Sequence, residues 1–221
     1  MKAHHLIVLE GTDGCGKSTQ AELACQALNR AGVDHKRLIF PRYDNDSSML
    51  LRMYLEGRFG SHPDDVNAYA ASTFFAVDRY ASYQTDWKPD YQAGRVIFSD
   101  RYTTSNAVHQ SSKLEQEALF QFSDWLFHYE YDLLGLPRPT CVIFLDLPPE
   151  ASFRMLEKRQ GAQGDIHELD HAYLIRCHQR ALELCAHYGW HRIACWDGTQ
   201  IRSIESIHQE IMEVIFRELQ E

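Results

Sequence analysis

The 221-residue chain is 44% hydrophobic and 24% charged, the balance of an ordinary globular protein long enough for one packed domain. Its 22 Lys and Arg against 31 Asp and Glu leave a net charge of −9. That sign disfavours nucleic acid as a partner, though not a small phosphorylated ligand gripped by a few local cations. No apolar run nears the roughly 20 residues that span a bilayer, and Leu6–Leu9 is far shorter than the ~7–15-residue core of a secretory signal. A cytoplasmic chain is expected. Its six cysteines show no CxxC pair and read as reduced, buried thiols rather than bridges or metal ligands.

In chain order, His5–Leu9 is the first predicted strand, and Ser18–Ala31 the first helix, with Ala21, Ala24, Leu28 and Ala31 at steps of three and four before Gly32. Lys36–Phe40 is the second strand and runs into Pro41-Arg42-Tyr43. Asp64 is the expected N-cap of a long helix reaching towards Trp87. Val96–Ser99 forms a third strand, ending in Asp100-Arg101-Tyr102; Cys141–Leu145 and Arg192–Cys195 are the fourth and fifth. The closing helix, about Ser203–Leu219, carries Ile204, Ile207, Ile211, Val214, Ile215 and Leu219 on one face. Several strands are apolar on both faces, as they are between two layers of helix. The alternation predicts a single α/β domain: a doubly wound five-stranded parallel sheet flanked by helices, with ligands at the carboxyl ends of the strands.

One motif falls at such an end. Gly11-Thr12-Asp13-Gly14-Cys15-Gly16-Lys17-Ser18 fits G-x-x-x-x-G-K-[ST] between a strand and a helix, the setting of a phosphate-binding loop. Its glycines allow backbone N–H groups to turn in on phosphate oxygens, helped by the helix N-terminus. ATP is the expected ligand of Gly11–Ser18 and Thr19, with Lys17 on the β- and γ-phosphates and Ser18 on Mg²⁺. A GTPase would need Asn-Lys-x-Asp, which the sequence lacks. The strand end at Asp100-Arg101 suits a kinase, with an acid near the metal and a cation for a second phosphorylated substrate. A deoxynucleoside kinase would need a carboxylate base close after the first or second strand, and no acid follows the second strand before Pro41-Arg42, which disfavours that class. A nucleotide sensor without turnover stays open at this point.

Five blocks stand in order: the phosphate loop with Asp13, Phe40-Pro41-Arg42-Tyr43, Phe74-Phe75-Ala76-Val77-Asp78-Arg79, Asp100-Arg101-Tyr102-Thr103-Thr104-Ser105-Asn106, and a short basic stretch at Lys158-Arg159. Through nearly its whole length the chain resembles the thymidylate kinases. The resemblance implies ATP- and Mg²⁺-dependent phosphorylation of dTMP to dTDP, with a homodimer as the usual assembly.

It also implies the roles of the second site. Phe75 stacks on thymine, Arg79 bonds its O4 side, and Asn106 reads its Watson–Crick edge. Phe75 and Arg79, at i and i+4, share a helix face. Pro41 and Leu55 line the 5-methyl pocket. Arg101, with Arg42, Tyr43 and Ser105, holds the dTMP phosphate, Asp13 meets the deoxyribose 3′-hydroxyl, and His109 lies by the sugar. Asp100 assists Ser18 with the metal, and Asp78 is expected in a structural ion pair. Lys17, Arg101, Asp13 and a lid cation, Arg159 with Lys158 or Arg154 beside it, are the catalytic set, because neither Gly14 nor Cys15 gives the phosphate loop an extra basic residue. The lid is expected at 158–168. His109 and His167 stand where relatives often carry Tyr or Gln, and a titrating His109 would make phosphate affinity depend on pH.

Overall fold

The computed structural model describes residues 4–160 and 165–220, with the side chains of 158–160 outside that description. Its elements are β1 (Leu6–Gly11), α1 (Lys17–Arg30), β2 (His35–Ile39), α2 (Met49–Leu55), α3 (Ala68–Ser82), α4 (Lys88–Gln92), β3 (Val96–Asp100), α5 (Thr103–Ser111), α6 (Leu119–Phe127), β4 (Cys141–Asp146), α7 (Pro149–Gln160), α8 (His171–Tyr188), β5 (His191–Ala194) and α9 (Ile204–Glu218). The five strands form one parallel sheet in the order β2-β3-β1-β4-β5, as the alternation predicted.

Strand geometry sends successive side chains to opposite faces, and β1 uses both. Ile7 and Leu9 pack with Ala21, Ala24 and Leu28 of α1 and with Ile207, Ile211 and Ile215 of α9. Leu6 and Val8 face the other way, into a cluster with Trp87, Ile97 and Tyr102. Beyond them α5, α6 and α8 enclose Val108, Phe122, Tyr173 and Leu184 with Phe144 of β4. At roughly 25 cal/mol per Å² of apolar surface, these layers hold the sheet rigid.

Two helix expectations need correction. The cap of α3 is Asn67, whose side chain accepts from Ala70 N at 2.9 Å, while Asp64 pairs with Arg176 at 3.0 Å. The run towards Trp87 is also not one regular helix, because Tyr83–Trp87 winds as a π-helix. A second π segment, His128–Leu133, continues α6.

The sheet positions the site. β1 is central and pairs with β3 so that Leu9 lies beside Asp100, and Arg101 N donates to Leu9 O at 3.1 Å. The loops after β1 and β3 therefore leave adjacent strands at one edge.

Candidate active site

At that edge Gly14 (φ 82°) and Gly16 (φ 90°) adopt left-handed backbone that L-residues rarely tolerate. A Cβ on Gly14 would also lie 2.7 Å from Ser152 O and 2.9 Å from Leu156 Cγ of α7. The loop thus turns tightly beneath α7 and delivers Lys17 to its centre. Lys17 is buried and folds back on its own loop, its Nζ donating to Gly11 O (2.7 Å) and Thr12 O (3.1 Å).

A cleft of about 570 Å³ opens over this loop. From the loop it is lined by Asp13, Gly14, Gly16, Lys17, Ser18 and Thr19, and from the far wall by Pro41, Tyr43, Leu55, Phe75, Arg79, Ser105, Asn106 and His109. Asp100 and Arg101 line it between the two. Most of the expected donor and acceptor residues therefore share one cavity, within the range of small-molecule sites; Gly11, Thr12, Cys15 and Arg42 are not among those lining it.

Arg101 holds the middle. Its backbone is left-handed, φ 66°, and its guanidinium bonds Asp13, Ser105 Oγ (3.3 Å) and His109 Nε2 (3.2 Å). Burial works against a charge on Asp13, but Arg101 and then Lys17 outweigh it and hold its carboxyl well below the usual carboxylate range. Behind Ser105 lies Glu10, which accepts from Ser105 Oγ (2.7 Å), Thr104 Oγ1 (2.5 Å) and Tyr102 N (3.2 Å). Burial pushes the pKa of Glu10 up despite those bonds.

On the far wall Phe75 lies edge-on to Tyr54, ring centroids 6.2 Å apart. Arg79 is buried and gives Nε and Nη2 to Glu130, at 2.7 and 2.5 Å. Asn106 donates Nδ2 to Ser72 O at 3.1 Å, which leaves its carbonyl oxygen as the acceptor of that side chain.

Some expectations are not met. Arg42 does not join Arg101: its Nη1 donates to Ser82 Oγ and Asp86 Oδ2, both at 2.9 Å, and it is not among the residues lining the cleft. Lys36 draws Asp86 to the same place at 2.7 Å. Asp78 makes hydrogen bonds rather than the expected ion pair, accepting from Arg42 N (2.9 Å) and Ser47 Oγ (2.7 Å). His109 is buried, and that burial, with the nearby Arg101 charge, depresses its pKa to about 3. It therefore does not titrate near neutrality here, and the pH-dependent role expected of it is withdrawn. The side chains of Lys158 and Arg159, and residues 161–164 of the expected lid, lie outside the described residues.

The far end of that lid is anchored. Ile166 N donates to Leu55 O at 3.2 Å, and His167 Nε2 bonds Tyr54 OH at 2.8 Å, the hydroxyl to which Lys113 Nζ also donates at 2.8 Å. His167 stacks on His109, centroids 5.6 Å apart and nearly parallel. Asp165 accepts from the backbone N–H of His167 and Glu168 at 2.9 and 3.0 Å. Burial, reinforced by the charges of Asp13 and Glu168, still pushes its pKa up to about 6. Sequence reading missed Glu10, Lys113, Tyr54 and Glu130. The clearest available signal was Glu130, an acid four residues after Leu126 on an otherwise apolar and aromatic helix face, where a buried charge demands a partner.

A glycine-lined phosphate loop on a central parallel strand, sharing its cleft with a second slot built from an aromatic ring and an arginine, defines a P-loop nucleoside monophosphate kinase. Comparison narrows the class. The profile of the family described as "Thymidylate kinase" matches residues 9–211, and the chain belongs to that family. It is 32% identical over 190 residues to "Thymidylate kinase" of Mycobacterium tuberculosis, covering 84% of this chain and 87% of that one. Against the protein so named in Synechococcus sp. it is 30% identical over 219 residues, 95% of this chain and 94% of the other. With that of Ruegeria pomeroyi the identity is 28% over 213 residues, 96% and 95% of the two chains. Among the described residues, no helix is long and apolar enough to cross a membrane.

Proposed function

We propose that the chain transfers the γ-phosphate of ATP to dTMP with Mg²⁺, as a single cytoplasmic domain. One observation carries the reading: the phosphate loop and the Phe75–Arg79–Asn106 wall line one cleft, with Arg101 between them. Thymine enters with its face on Phe75, its O4 towards Arg79 and its N3–H towards the carbonyl oxygen of Asn106. Pro41 and Leu55 flank the 5-methyl group. Asp13, kept ionised by Arg101, receives the sugar hydroxyl.

The acceptor is already a phosphate oxyanion, so no strong base is required and the protein's task is positioning and charge neutralisation. Lys17 exchanges the carbonyls of Gly11 and Thr12 for β- and γ-phosphate oxygens. Arg101 donates to the acceptor phosphate and shares the charge of the transferring group. The exposed hydroxyl of Ser18 and the buried carboxylate of Asp100 are hard oxygen donors that fit Mg²⁺ beside phosphates and water. An ion held there would supply neutralisation of the phosphate charge.

Two copies of the chain are proposed to associate through α3 and α6, where Tyr69, Val77, Tyr80 and Phe120 stand exposed; sedimentation of Val77→Arg as a monomer would support this, and a wild-type monomer would dismiss it. The acidic surface argues against nucleic acid as a partner. The function is tested by a coupled assay with ATP·Mg²⁺ and a panel of monophosphates. Turnover of dTMP well above dUMP, dCMP, GMP and AMP supports the reading. Preference for another monophosphate, or ATP binding without turnover, overturns it.

A further inference from the structure

Arg79 reaches the cleft as one half of a buried pair. Its side chain and that of Glu130 are 3% and 0% exposed. Glu130 Oε1 faces Arg79 Nη2 at 2.5 Å, while Oε2 accepts from Arg79 Nε (2.7 Å) and Thr103 Oγ1 (2.7 Å). The two residues are 51 positions apart in sequence. Taking both charges out of water is expensive, and an apolar pair of the same volume is often as stable or more so. The pair is thus poorly explained by stability alone, and one member lines the substrate cleft.

The carrier of Glu130 is also irregular. The π segment His128–Leu133 widens the last turn beyond α6, with Leu134 N bonded to Tyr129 O at 3.0 Å. It buries two consecutive side chains, Glu130 beneath Arg79 and Tyr131 against Tyr102, centroids 6.4 Å apart. Such segments recur at functional sites rather than in plain packing.

A guanidinium is a rigid planar fork with five donors and no acceptor. With its Nε–Nη2 edge fixed on Glu130, the part left for a ligand is the Nη1 end, whose one hydrogen bond among the described residues is a marginal one to Tyr102 O at 3.5 Å. That end can only donate. A base offering a carbonyl there is accepted, and a base offering an amino group meets donor against donor.

We propose that Glu130 is the positioning residue for base selection: it locks the Arg79 fork in the orientation that accepts a 4-oxo pyrimidine and rejects a 4-amino one. The inference rests on the reading that Arg79 faces the base. Without Glu130 the fork gains rotational freedom, and the penalty against cytosine falls.

The test is steady-state kinetics of wild type, Glu130→Gln and Arg79→Met with dTMP, dCMP and ATP, each variant checked for folding by circular dichroism. Glu130→Gln keeps the volume but loses the charge. It is expected to raise KM for dTMP about tenfold, equivalent to about 1.4 kcal/mol, and to lower the dTMP-to-dCMP ratio of kcat/KM by a similar factor. KM for ATP and kcat stay within about twofold. Should Glu130→Gln not fold, Thr103→Val removes one donor from the same carboxylate and is expected to raise KM for dTMP about threefold with the same selectivity. The proposal is overturned if the folded variant keeps wild-type KM and ratio while Arg79→Met raises KM for dTMP; Arg79 then reads the base unaided. If Arg79→Met is also neutral, the assignment of Arg79 to the base falls and takes the proposal with it. Equal losses for dTMP, ATP and kcat mean a general structural defect and likewise overturn it.

Discussion

Replacing Arg101 by Met and, separately, by Gly separates the two things this residue does. Its φ of 66° costs an L-residue roughly 1–2 kcal/mol. Met retains that strain and removes the guanidinium. Gly removes both, but loses about 0.5–1 kcal/mol more chain entropy on folding. Both variants strand Asp13, although the pair is only partly buried, side chains 15% and 21% exposed, so the shared loss falls below the ~3–5 kcal/mol of a fully buried pair. Urea unfolding followed by the fluorescence of the four tryptophans should therefore place Arg101→Gly above Arg101→Met by up to about 1 kcal/mol. In catalysis the two should fail together. A charge-assisted hydrogen bond to phosphate is worth about 1.5–3 kcal/mol, so KM for dTMP should rise roughly 10- to 150-fold, with KM for ATP within about threefold. Arg101→Gly less stable than Arg101→Met would refute the strained backbone. A rise in KM for ATP in place of dTMP would refute the assignment of Arg101 to the acceptor.

Further outcomes follow from the same site. Lys17→Met should abolish turnover in the coupled assay and leave the circular dichroism spectrum intact, since among the described residues Lys17 Nζ bonds only carbonyls and a thiol of its own loop. Asp165 has its pKa raised to about 6 against ~3.9 for a free aspartate, so folding disfavours its charged form. That cost is nil below about pH 4 and grows as pH rises to 6, where it reaches at most about 3 kcal/mol. Asp165→Asn keeps the oxygen that accepts from His167 N and Glu168 N and should stabilise the protein at pH 8 but not at pH 4 in parallel urea titrations; an equal effect at both would contradict the linkage. For His109 the sign is opposite. Held neutral to about pH 3, it lowers stability as pH falls below its unfolded value of ~6.5. His109→Gln should flatten that acid limb of the stability curve, while the dependence of kcat/KM for dTMP between pH 6 and 8 matches that of wild type.

Local pattern made the sheet legible. All five strands lie within two residues of their predicted places; β1, β3 and β4, buried on both faces, leave continuous Val, Ile and Leu signals, whereas the edge strands β2 and β5 are largely half-buried or exposed. The phosphate loop was equally plain, since each of its glycines answers a local backbone demand. Interactions spanning many residues were not. Asn67 and Asp64 are both sound helix caps by type, and only Arg176, 112 positions away, decides where Asp64 goes. Arg42 carries a motif that points to phosphate, yet Asp86 and Ser82 from α3 and its π extension take its guanidinium. Composition gives no warning of that competition. Glu130 and Arg79 fit the same rule in part: an acid on an apolar face signals that Glu130 needs a partner, but that the partner is Arg79, 51 positions away, is a property of the fold. The two π segments have no signature in a 3.6-residue period, which registers them as continuations of the preceding helix.

The central claim is that donor and acceptor nucleotides meet phosphate to phosphate in one cleft, with Lys17 on one side and Arg101 on the other. Inhibition by a bisubstrate compound, adenosine and thymidine joined through a polyphosphate bridge, tests it most directly. The account predicts inhibition competitive against both ATP and dTMP, and tighter than either nucleotide alone. Competition against only one of the two substrates would contradict it.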